Sequence, residues 1–208
     1  MLLREYLENP CRRLSIPYWK NKNIQIPPSM KIVHQDNFND TYLIDYCDEK
    51  YFRLIHHLNS MKSKIPQGFS IKTAEISDIP LIVEIINNSY KDLSVNYEQM
   101  LSYTKTEAYD SNLWILISEN KTNHIVGCGI ADFDKEAKEG ILEWIQVLPE
   151  YRSKKIGSLI VNELLYRMKN ADFATVSGKV NNSTNPERLY RSCGFVGNDI
   201  WHILTQKC

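Results

Sequence analysis

The sequence predicts a mixed α/β fold built on a mostly antiparallel sheet, and three observations carry that prediction. Residues 113–148 hold three apolar, strand-like runs in succession, separated by two short polar turns, the pattern of a meander of neighbouring antiparallel strands. Residues 141–180 then read strand, helix, strand, a crossover that sets two parallel strands in the same sheet. Amphipathic helical stretches stand before and after the meander, so helices are expected on both faces of the sheet.

Taken in order, the chain changes texture near Gly68. Pro10, Pro17, Pro27, Pro28 and Pro66 break the first part into short pieces, since proline blocks long elements. Strands are expected at 30–35 and 41–47 and a short helix at 49–61, which makes residues 1–68 a small N-terminal α+β extension. Residues 69–208 form the main domain. A strand at 69–75 is followed by Ser77 and Asp78 as helix N-cap candidates and by a helix carrying Ile79, Leu81, Ile82, Ile85 and Ile86. A second helix is expected over 96–105. The meander strands run 113–117, 124–133 and 141–148, with turns at 120–123 and 135–140. A basic loop, residues 150–155, leads into a helix at 156–169, whose Ile156, Leu159, Ile160, Leu164 and Met168 keep helical spacing. A strand at 173–180, a helix at 186–193 and a strand at 199–205 complete the chain.

Composition narrows the function classes. Among 208 residues, 25 Lys and Arg balance 25 Asp and Glu, which argues against nucleic acid as partner because phosphate-backbone binding shows as a basic domain. The balance is uneven along the chain. Residues 69–150 carry 6 basic and 14 acidic side chains, whereas residues 151–170 carry 5 basic and 1 acidic. The five cysteines, Cys11, Cys47, Cys128, Cys193 and Cys208, are scattered without a metal-ligand spacing, so free thiols in a reducing compartment and no metal are expected. No stretch approaches the roughly 18 apolar residues of a membrane span, and the expected location is the cytoplasm.

Chemistry concentrates at residues 146–158. A strand ends there, and a loop with three basic residues and a glycine opens a helix. Helix N-termini present unpaired N–H groups and a positive dipole end, so this is either a phosphate cradle or a solvated basic turn. The stretch Val147-Leu-Pro-Glu-Tyr-Arg-Ser-Lys-Lys-Ile-Gly-Ser158 resembles the acetyl-CoA signature of the GNAT N-acetyltransferase superfamily, written Q/R-x-x-G-x-G/A after a V-x-P strand end. Arg152 and Gly157 match it; Lys155 stands where the first glycine belongs. A second stretch, Asn185-Pro-Glu-Arg-Leu-Tyr-Arg-Ser-Cys-Gly-Phe195, is similar to the family helix ending in L-Y-x-x-x-G-F. The resemblance covers about residues 69–205, includes the order of elements, and implies a GNAT-like sheet.

The resemblance also implies roles. The pantetheine arm of acetyl-CoA, the co-substrate, would lie where the strands 141–148 and 173–180 splay, pairing with backbone near Ile145 and Val147. The pyrophosphate would sit on the amides of Arg152, Ser153, Lys154, Lys155, Ile156, Gly157 and Ser158, with Lys154 and Lys155 near the 3′-phosphate. Glu143, expected on one strand face with Ile141, Ile145 and Val147, is the candidate base or substrate contact for the attacking amine. Tyr190 corresponds to the tyrosine that protonates the leaving thiolate, and Asn185 caps its helix and could touch the pantetheine. Asn181 and Asn182, at a strand end, are open in the same way. Other conspicuous residues read as structural: Cys193 as a packed thiol, His56 and His57 as helix residues, Trp114, Trp144 and Trp201 as core. Asp132, Asp134, Glu136 and Glu139 read as a solvated acidic face.

The expected function is therefore an acetyl-CoA-dependent N-acetyltransferase acting on a primary amine, small molecule or peptide, without nucleic-acid or membrane partners. A homodimer is left open. Two alternatives stand beside it: an acyl-CoA-binding sensing module without turnover, invited by Lys155 in the glycine position, and an interaction protein docking through residues 1–68.

Overall fold

The start of the chain pairs with its end. β1 (Met30–His34) and β2 (Tyr46–His56) both run antiparallel to β8 (Val196–Gln206), with Val33 opposite His202 and Phe52 opposite Ile200. The computed structural model describes residues 3–13, 26–59, 64–89, 94–181 and 184–207. The chain divides into two compact units, Met1–His57 with Thr175–Cys208, and Leu58–Ala174. Among the described residues no helix is long and apolar enough to cross a membrane.

In the first unit the strand order is β1-β8-β2-β7, where β7 is Phe173–Lys179. α1 (Leu3–Glu8), α2 (Tyr42–Asp45) and α6 (Pro186–Ser192) accompany these strands. Arg53 of β2, only 2% exposed, organises one side: its guanidinium donates to Tyr6 Oη at 2.8 Å, Pro10 O at 3.2 Å and Ser177 Oγ at 3.3 Å. Five donors in a fixed fork let one side chain tie three segments together. Trp201 Nε1 adds a bond to Cys11 O at 2.9 Å. Two buried histidines zip the strands further, His34 to Asp199 at 3.1 Å and His202 to Asp48 at 3.0 Å, and Phe38 stacks on His202 at 3.8 Å.

Two sequence expectations fail in this unit. The predicted helix at 49–61 is a strand through His56, because Phe52, Arg53 and Leu54 are buried in succession, with cover on both faces. A strand buried on both faces loses its alternation, and its apolar positions then imitate a helix. The predicted strand at 41–47 is mostly the single turn α2. Lys207 Nζ donates to Leu43 O at 2.7 Å and to Ile44 O, and Lys207 N–H to Asp45 O at 2.8 Å, so tertiary bonds to the chain's end override local strand propensity.

In the second unit β3 (Phe69–Thr73), β4 (Trp114–Glu119), β5 (Ile125–Asp134) and β6 (Glu139–Val147) form an antiparallel run in the order β6-β5-β4-β3. α3 (Ile79–Ser89) and α4 (Tyr97–Tyr103) cover one face, where Ile82, Ile86 and Met100 join Trp114, Leu116, Cys128 and Ile130 in one core cluster. α5 (Ile156–Arg167) covers the other. A Cβ at Gly129 would run into Ile160 and come within 3.1 Å of Leu164, so the glycine is what lets α5 lie close to β5. The start of α3 differs from expectation: Glu75, not Ser77 or Asp78, is the cap, ahead of a 3-10 turn at Ile76–Asp78. Asp78 returns the bond by accepting from Glu75 N–H at 3.0 Å, which closes a capping box.

Of the four acidic residues around the turn between β5 and β6, Glu136 is exposed as expected, but the other three do not form a solvated face. Glu139 is 0% exposed, and Asp132 and Asp134 are buried with it. Asp134 Oδ1 accepts from the N–H groups of Glu136 and Ala137 at 2.9 Å each, so its carboxylate builds the tight turn.

Candidate active site

The junction of β6 and α5 has the local geometry of an anion cradle. After Val147 the chain makes a 3-10 turn at Pro149–Tyr151, then passes through Ser153 and Lys155, both left-handed, with φ of 64° and 62°. Lys155 is the N-cap of α5, yet its side chain makes no capping bond. The first helical bond runs from Leu159 N–H to Lys155 O at 3.0 Å, so the N–H groups of Ile156, Gly157 and Ser158 precede it and have no acceptor within the helix. Left-handed residues beside right-handed ones turn successive N–H groups toward a common concavity, and the helix dipole adds positive potential there. The position that sequence comparison expects to be glycine is thus one whose backbone favours glycine.

Side chains set this loop in place. Arg152 donates from Nη2 to Ser89 O, at the end of α3, at 2.9 Å, and from Nε to Val147 O at 3.4 Å. Its guanidinium braces the loop, and its backbone N–H donates to Pro149 O at 3.2 Å, so the predicted Arg152 amide is already used by the 3-10 turn. Lys154 Nζ lies 4.3 Å from the centre of the Tyr151 ring, and Tyr151 Oη donates to Glu119 Oε2 at 3.4 Å. Burial and the adjacent Glu119 carboxylate push the Tyr151 phenol above its ordinary pKa. Lys154 and Lys155 are both exposed.

β6 presents the remaining predicted residues. Val147 stands opposite Gly127 and Ile145 opposite Gly129. Leu148 N–H donates to Val126 O at 3.0 Å, and the alternation of an extended strand then turns the N–H and C=O of Val147 and Ile145 away from β5. Glu143 is in an unexpected place: Trp144 pairs with Ile130 and Leu142 with Ala131, which makes Glu143 the extra residue of a β-bulge. The bulge shifts the alternation by one. Ile141 therefore lies on the face opposite to Ile145 and Val147, and the single face predicted for these residues with Glu143 does not exist. Glu143 is half-buried beside Trp144, which packs on the core cluster.

The first unit holds the other candidates. Asn185 caps α6 as expected, with Oδ1 accepting from Arg188 N–H at 3.3 Å and Pro186 following at the first helical position. Tyr190, 8% exposed, meets Phe195 edge-on with ring centres 5.8 Å apart and Phe52 at 6.2 Å. His56 lies on β2, not on a helix, with its ring 5.3 Å from that of Phe195; burial first, then neighbouring His57, holds its pKa below the ordinary value. Among the described residues no disulfide joins Cys11, Cys47, Cys128 or Cys193, and burial drives the Cys128 pKa far up. Trp114 and Trp201 are core residues as predicted. Asn181 is exposed and left-handed, while Asn182 and Cys208 lie outside the described residues. Sequence reasoning missed Phe52 and the Ser89 carbonyl; the first was hidden in the misread helix, and no side-chain pattern marks the second.

Comparison with known proteins gives a match over part of the chain. Residues 110–197 match the acetyltransferase (GNAT) domain family. No curated protein matches the sequence. Among solved structures, a GCN5-related N-acetyltransferase from Sphaerobacter thermophilus superposes with a TM-score of 0.71 at 20% identity, over 84% of this chain and 58% of that one. A GCN5-related N-acetyltransferase from Kribbella flavida gives 0.59 at 12% identity, over 86% and 68%. A glucosamine N-acetyltransferase region of a fungal multi-domain β-N-acetylglucosaminidase gives 0.57 at 12%, over 76% and 21%. At these identities the likeness establishes the fold, and this chain spans little more than half of the Sphaerobacter protein.

Proposed function

We propose, from the premise that this chain carries a GNAT acetyltransferase domain, that it is an N-acetyltransferase moving an acetyl group from acetyl-CoA to a primary amine. The observation that carries the proposal is the start of α5, where a left-handed Lys155 and three N–H groups without helical acceptors follow a basic loop. That arrangement suits a pyrophosphate, whose oxygens accept several amide bonds at once. Lys154 and Lys155 supply charge for the 3′-phosphate. The outward-turned backbone of Ile145 and Val147 suits the amide-bearing pantetheine arm. Asn185 uses Oδ1 for its cap, so any contact it makes to that arm comes from Nδ2.

In the proposed reaction the neutral amine attacks the thioester carbonyl carbon, a C–N bond forms and the C–S bond breaks. An alkyl ammonium has a pKa near 10, so the nucleophile must first lose a proton, which Glu143 accepts directly or through water. Tyr190 gives its phenolic proton to the departing thiolate, the nitrogen of the tetrahedral adduct releases its surplus proton to solvent, and solvent returns one to Tyr190. The products are an acetamide and CoA thiol. A bulge suits Glu143 to this work, because the extra residue re-aims a side chain that a regular strand would commit to one face.

A screen of primary amines with purified full-length protein, acetyl-CoA and thiol-release detection tests the proposal. Turnover with at least one amine is expected, and Glu143→Gln should lower kcat/KM and flatten the acidic limb of its pH profile. An unchanged profile removes Glu143 as base. CoA binding without turnover for any amine would leave a sensing module, and neither binding nor turnover would overturn the proposal.

A further inference from the structure

We infer that Phe52 is a positioning residue for Tyr190, seated for that task by the missing side chain at Gly178. The inference rests on the proposal that the Tyr190 phenol protonates the leaving thiolate. β2 and β7 are neighbours, and Val180 N–H donates to Lys50 O at 2.8 Å, which brings Gly178 alongside Phe52. A Cβ at Gly178 would stand 2.5 Å from Cζ of Phe52, 2.9 Å from Cε1 and 3.3 Å from Cε2. The ring therefore lies down across the glycine in space that any other residue would fill. From that seat it meets the Tyr190 ring at 6.2 Å with an interplanar angle of 56°.

Phe195 closes Tyr190 from a second direction, edge-on at 5.8 Å and 67°, and its own N–H donates to Tyr190 O at 3.1 Å. His56, two strand positions beyond Leu54 on β2, backs Phe195 in turn. Phe52, Phe195 and Tyr190 are all buried. In an interior packed without voids, a tyrosine held between two aromatic edges cannot change χ1 or χ2 unless one of them moves. Proton delivery to a leaving sulfur depends on where the phenol points, so the ring that fixes Tyr190 acts on the rate through it. The N-terminal part of the chain thereby contributes to the chemistry assigned to α6, through one residue of β2.

The test compares Phe52→Leu, Gly178→Ala and Tyr190→Phe in the full-length protein. Gly178 has ordinary extended backbone, so Gly178→Ala adds only the Cβ that pushes the Phe52 ring, and it remains informative if Phe52→Leu folds poorly. Both are expected to lower kcat by about tenfold with KM for acetyl-CoA unchanged, and to add nothing further in combination with Tyr190→Phe. If Tyr190→Phe leaves kcat unaltered, the role given to Tyr190 is what fails. If it slows kcat while the other two are wild-type, or multiply with it in full, the positioning inference is overturned. A readout independent of turnover is the ring signal of Tyr190 in protein labelled with 13C-tyrosine. It should shift or broaden in both variants, and an unmoved signal also overturns the inference.

Discussion

Lys155 carries backbone strain that a glycine in its place would not. An L side chain at φ 62° costs about 1 kcal/mol, and here that residue also brings an exposed ammonium to the mouth of the cradle. Two substitutions separate the effects. Lys155→Ala keeps the strain and removes the charge, whereas Lys155→Gly removes both. Each is expected to raise KM for acetyl-CoA more than it lowers kcat, and thermal unfolding should find the glycine variant about 1 kcal/mol more stable than the alanine variant. Unchanged KM in both would leave binding to the amides alone; an alanine variant more stable than the glycine variant would contradict the left-handed backbone. Arg152 shows why a sequence motif is silent about such division of labour. The motif identifies the residue, but only the bond to Ser89 O shows that its side chain braces the loop.

Among the elements, the entry to α3 gives a pH-dependent prediction. Burial alone would raise the Asp78 pKa, but the Glu75 N–H and the Lys72 ammonium, 2.8 Å away, outweigh it and hold the carboxyl below the usual carboxylate range. A depressed acid stabilises the fold above its unfolded pKa and loses that contribution as pH falls through its folded value. Asp78→Asn should therefore cost about 1 kcal/mol near neutrality, and the gap from wild type should close below about pH 4. A gap that widens on acidification would rule out the capping role. β6 shows the limit of pattern reading at this scale. Its existence was legible from apolar residues between turns, but the bulge at Glu143 was not, because an extra residue appears only when two strands are laid side by side. β2 was misread for a related reason: a strand covered on both faces has no alternation to see.

For the whole molecule, β8 depends on the start of the chain for both of its neighbours, β1 and β2. A protein lacking residues 1–57 would expose both edges of β8 and the edge of β7 that faces β2, together with Trp201 and Leu204, both buried in the intact chain. It is expected to aggregate or to lose its cooperative thermal transition, and a soluble monomer melting like wild type would show that these strands are dispensable. The meander, α3, α5 and the basic loop between β6 and α5 could be read in advance, since their signals are turns, caps and helical spacing within a few residues of one another. The loop that opens α5 was legible for the same reason, being contiguous in the chain, but the use of the Arg152 N–H within the 3-10 turn was not. Short-range steric and hydrogen-bonding preferences decide such features, and the sequence alone determined them. Tertiary structure decided the rest: that residues 49–56 extend as a strand, that Asp132, Asp134 and Glu139 are buried, that Glu143 stands out of register, and that Phe52 reaches Tyr190. Each of these depends on partners far along the chain, whose pairing energy exceeds the small local preferences that a sequence displays.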